Sequence, residues 1–83
     1  MKKYDRALSY TNRALQKTSD NPELHYLKAQ ILRAQANKQK NQKLMQEAIA
    51  YFDRALAKES QLPSSTVKQI QRERRNAAKN LKN

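Results

Sequence analysis

An all-α chain of four helices, arranged as stacked antiparallel hairpins, is predicted from three observations. The stretch from Ala7 to Lys17 recurs 41 residues later as Ala48 to Lys58, with six of eleven positions identical. A fixed-period repeat of amphipathic helices signals units that bury a core only against their neighbours. Apolar residues follow i, i+3, i+4, i+7 spacing through both copies and through the segments beside them. The chain has no glycine, and its two prolines, Pro22 and Pro63, stand at the edges of periodic stretches, where proline starts helices rather than breaking them.

The first helix is expected over about residues 3–18, with Tyr4, Ala7, Leu8, Thr11, Ala14 and Leu15 on one face. Thr18-Ser19-Asp20-Asn21-Pro22-Glu23 reads as a stop followed by a start: Asn21 or Asp20 caps, Pro22 takes the first helical position and Glu23 suits the helix dipole. A second helix follows over about residues 22–38. Its stripe is Leu24, Leu27, Ile31 and Ala34, widened by Ala29, Leu32 and Ala36, so it should touch neighbours on two sides. The tract Asn37 to Lys43 has no apolar residue and is either a hydrophilic extension of two helices or a loop, with the turn near residues 39–42.

The third helix, over about residues 43–59, repeats the first through Leu44, Met45, Ala48, Ile49, Phe52, Ala55 and Leu56. Ser60 to Ser65 is the second break, with Ser64 or Ser65 as cap of a fourth helix over about residues 64–82. That helix has a single apolar stripe, Val67, Ile70, Ala77, Ala78 and Leu81, which the methylene stem of Arg74 can cross while its guanidinium reaches water. One apolar stripe and a polar back suit a terminal capping helix. Leu27, Ala29, Ile31, Ala48, Phe52 and Ala55 are the core residues singled out.

These residues carry a resemblance. Leu24 to Leu32, with Ala29 at a small-residue crossing, and Ala48, Phe52 and Ala55 in the later stretch are similar to the two helices of a tetratricopeptide repeat. The resemblance implies half a repeat, one full repeat and a capping helix stacked as a short α-solenoid, covering nearly the whole chain as a single domain, 1–83. Three features depart from it: a period of 41 rather than about 34, Lys28 at a usually apolar site, and Thr11 in place of an aromatic. In that family the aromatic position of the first helix would face a preceding helix that this chain lacks, so Thr11 is read as a small polar residue at an exposed end. Because Met1 directly precedes a half-repeat, the chain is expected to be a piece of a longer protein.

Eighteen Lys and Arg against seven Asp and Glu give a formal net charge of +11. Such a balance favours acidic partners or nucleic acid. Residues 24–46 contain five bases and no acid, and residues 60–83 contain six bases opposed only by Glu73. Absence of cysteine excludes disulfides and thiol chemistry, and absence of glycine excludes a phosphate-cradling loop. His25 is the single histidine, and the carboxylates are scattered. No catalytic residue, metal site or cofactor is therefore expected, and the chain reads as a non-enzyme. Without an apolar run near the roughly 20 residues that span a bilayer, a soluble and cytoplasmic location is expected.

Tyr26, Gln30 and Arg33 form a polar stripe on the second helix. In the resembled family this helix lines a ligand groove, so they are the candidate partner-binding residues, together with Lys68, Arg72 and Arg75 of a basic stripe that continues to Lys79. The leading functional expectation is a protein-interaction module holding an acidic peptide between the second and fourth helices, with Arg72 or Arg75 near the groove. The alternative is a basic nucleic-acid binder using Lys38, Lys40, Lys43 and the fourth-helix stripe. The chain is expected to be a monomer, or a weak dimer through the first helix, whose side bearing Ala7, Thr11 and Ala14 would be open.

Overall fold

The computed structural model describes residues 2–81. Among them are four α-helices, α1 (Lys2–Lys17), α2 (Pro22–Gln39), α3 (Gln42–Leu56) and α4 (Ser64–Asn80), with one 3-10 turn at Glu59–Gln61. No strand is present among the described residues. Each helix packs on its neighbour in sequence, α1 on α2, α2 on α3 and α3 on α4, and the α2–α3 contact is the most extensive.

The caps explain where the helices begin. Asn21 accepts from the amides of Glu23 and Leu24, with Pro22 at the first turn, and Asn41 accepts from the amide of Leu44. The polar tract proves to be helical extension on both sides of a two-residue connection. Lys40 adopts a left-handed conformation, φ 52° and ψ 44°, and the amides of Lys40 and Asn41 both return to the carbonyl of Ala36. This closes the end of α2 in the manner of a Schellman turn, and so short a link obliges α3 to run back along α2.

The main core comprises Ala29, Leu32, Ala36, Met45, Ala48, Phe52, Ala55, Leu62, Ile70 and Ala77. Small alanines at Ala29, Ala48 and Ala55, each fully buried, let the backbones of α2 and α3 approach, and Phe52 fills the space between them. Arg74 bridges the outer seam of α3 and α4 by donating to both carboxylate oxygens of Asp53. Its guanidinium is thus paired rather than simply in water.

Several expectations are corrected. Leu27 is not core: it is 39% exposed. The buried face of α2 runs through Ala29, Leu32 and Ala36, the residues expected only to widen the stripe, together with His25, whereas Ile31 is buried apart from the main cluster. At about 100° per residue, Leu27 lies well off the centre of both packed faces. Thr11 is not at an exposed end but is 0% exposed. It stands midway between Ala7/Leu8 and Ala14/Leu15, so it is the centre line of α1's apolar face, and its hydroxyl is satisfied by the carbonyl of Ala7. The side bearing it is therefore covered.

The third helix stops at Leu56 rather than near residue 59, because the chain leaves α geometry for the 3-10 turn that carries Leu62 into the core. Neither Ser64 nor Ser65 caps α4: Pro63 occupies the cap position, in extended conformation and without a side-chain bond. Ala78 is exposed and falls outside the α4 stripe, and residue 82, the expected end of that helix, lies outside the described residues.

Candidate interaction surfaces

Helix α2 is apolar or half-buried nearly all round because it is engaged on three sides rather than two. One face meets α3, a second meets α1, and the third, bearing Tyr26, Gln30, Arg33 and Asn37, looks toward α4. On that third side Tyr26 and Gln30 are already committed. The Tyr26 hydroxyl donates to Oε2 of Glu73, the Gln30 amide donates to Oε1 at 3.3 Å, and Gln69, one turn before Glu73, donates to Oε2 at 3.2 Å. The Tyr26 ring lies against Phe52, with centroids 6.1 Å apart. Tyr26 is thus part of the packing rather than a free groove residue.

Burial and the adjoining Glu73 carboxylate both hold the Tyr26 hydroxyl well above the ordinary tyrosine range, since ionising it would place two anions together. Glu73 was not anticipated as a site residue. The available signal was its position as the single acid of residues 60–83, one helical turn from Gln69.

Arg33 differs from its neighbours. It lines a hollow of about 220 Å³ together with Gln30, Ala34, Asn37 and Glu73, and its Nε is buried with no hydrogen-bond acceptor among the described residues. A buried guanidinium N–H without a partner is costly.

The six candidate partner-binding residues do not form one site. Ile70 and Ala77 are fully buried while Lys68, Arg72, Arg75 and Lys79 are exposed. On a helix turning about 100° per residue, the four bases lie on the side opposite Ile70 and Ala77, and Glu73 lies between the two faces. Tyr26, Gln30 and Arg33 therefore border the α2–α4 hollow, whereas Lys68, Arg72 and Arg75 form the solvent back of α4. The expectation that Arg72 or Arg75 stands near the groove is not met, because a stripe opposite the packed face cannot turn toward it.

A further cluster surrounds Tyr51. His25 stacks on its ring at 5.8 Å between centroids, while Lys28 Nζ and Arg54 Cζ lie 4.5 and 4.8 Å from the ring centre. This accounts for Lys28 at a site that is usually apolar: the ammonium is spent on the aromatic ring. His25 Nε2 faces the carbonyl of Ser19 at 2.7 Å and therefore carries the proton. Histidine here anchors the α1–α2 connection.

No described helix is long and apolar enough to cross a membrane. Among the described residues no group of three or more His, Cys, Asp or Glu side chains is placed to hold a metal ion. Compared with protein-family models, with curated proteins and with solved structures, the chain matches none.

Proposed function

We propose that this chain is a non-catalytic protein-interaction module of tetratricopeptide-like build that receives an acidic peptide at the hollow between α2 and α4. The observation that carries the reading is the Arg33 side chain, which lines that hollow and is paired with no carboxylate among the described residues. Among the described residues Glu73 supplies the only carboxylate lining it, and that carboxylate already accepts from Tyr26, Gln30 and Gln69. Arg33 is left as the open charge, and a ligand carboxylate is a group whose geometry a guanidinium fork matches. The amide of Asn37 beside it can hold the peptide backbone.

The test is the affinity of a labelled oligoglutamate peptide, measured by fluorescence anisotropy. Arg33→Ala should weaken binding about tenfold or more, as expected for one charge-assisted hydrogen bond, with thermal stability kept or improved because the unpaired group is removed. Equal affinity of the parent and Arg33→Ala for this peptide would remove the hollow from consideration.

A further inference from the structure

The outer face of α4 supports a second surface, independent of Arg33 and its hollow. Lys68, Arg72, Arg75 and Lys79 are separated by four, three and four residues, which at a rise of about 1.5 Å per residue makes a straight row about 16 Å long. Among the described residues no acidic side chain is paired with it. Glu73, the one carboxylate of α4, is turned to α2 and held there, and Asp53 is engaged with Arg74 at the α3–α4 seam.

Asn80 shares a hollow of about 250 Å³ with Asn37, Lys40, Asn41 and Gln42, so the C-terminal end of α4 lies beside the α2–α3 connection. Lys38, Lys40 and Lys43 are all exposed around that connection. The end of α4 and this lysine-bearing connection, some forty residues apart in the sequence, thus lie close together.

We infer that this surface binds the sugar–phosphate backbone of duplex nucleic acid without reading its bases. A rigid row of cations at helical spacing suits a partner whose charges are also regularly and rigidly spaced. A duplex presents one negative charge per about 1.7 Å of axis, so a 16 Å row faces on the order of ten of them. Single strands held without sequence preference rely on aromatic stacking platforms in addition to charge. Neither α4 nor the segment Asn37 to Lys43 contains an aromatic residue, which favours the duplex. Contacts of Lys and Arg with phosphate give affinity and orientation but no sequence discrimination. A flexible acidic polypeptide must also lose conformational freedom to match the row, a cost that the stiff duplex does not bear.

The experiment is an anisotropy titration of a labelled random-sequence DNA duplex at several salt concentrations, with the corresponding single strand and oligoglutamate as competitors. The logarithm of the association constant should fall against the logarithm of salt with a slope of about −4 to −6, corresponding to four to seven phosphates, and should be the same for a scrambled sequence. Replacing both Arg72→Gln and Arg75→Gln should reduce the steepness by about two while leaving the melting temperature unchanged, since both side chains are exposed. Arg33→Ala should leave duplex binding intact, so this surface and the hollow stand or fall separately. A salt slope unaffected by the double substitution would overturn the proposal. So would displacement of the duplex by oligoglutamate at equal charge concentration, which would assign the surface to acidic proteins.

Discussion

Tyr26 joins three parts of the molecule through one side chain: its ring rests on Phe52 of α3, its backbone belongs to α2 and its hydroxyl holds Glu73 of α4. Its proton matters to stability. Burial first, and then the Glu73 carboxylate, raise the pKa of the phenol in the fold above its ordinary value of 10.0. A group that keeps its proton more firmly when folded contributes stability that is complete below the unfolded pKa and declines as pH rises through and beyond that value. Tyr26→Phe should therefore cost about 1 kcal/mol at neutral pH, the usual net worth of a hydrogen bond. The gap between parent and variant should narrow above about pH 10, where the unfolded tyrosine ionises. Paired urea titrations at neutral and alkaline pH measure this directly, and a gap independent of pH would contradict it.

Lys40 decides the geometry between two helices. A non-glycine residue with φ of 52° costs about 1 kcal/mol or more, because Cβ crowds the following carbonyl, and glycine removes that crowding. Lys40→Gly should raise stability by up to about 1 kcal/mol, read as a higher melting temperature, with part of the gain offset by the greater freedom of glycine in the unfolded chain. The elements themselves were legible from the sequence because helix periodicity, Asn21 and Pro22 are local signals that local structure obeys. Leu27 and Thr11 were misread because periodicity fixes which residues share a face but not which face a neighbour covers. Pro63 displaced the expected serine caps for a similar reason: where α4 begins is set by Leu62 reaching the core. The two basic segments were visible as charge runs, whereas the return of the α4 end to the α2–α3 connection was not. Glu73 was hidden because its three partners come from α2 and α4, some forty residues apart except for Gln69.

At the scale of the molecule, every extensive contact is between helices adjacent in sequence, and the largest of them is spanned by a connection of only two residues, Lys40 and Asn41. Closing so short a loop takes little entropy from the chain, and topologies dominated by local contacts fold in microseconds to milliseconds. The α2–α3 hairpin is accordingly where folding should begin, with α4 and α1 condensing on it afterwards. Temperature-jump kinetics can separate these stages. Phe52→Leu, within the hairpin, should chiefly slow folding, whereas Leu15→Ala in α1 should chiefly accelerate unfolding. The order would be reversed if α1 were part of the nucleus. The same tight link that aligns two helices in the finished structure thus also sets the chain's timetable.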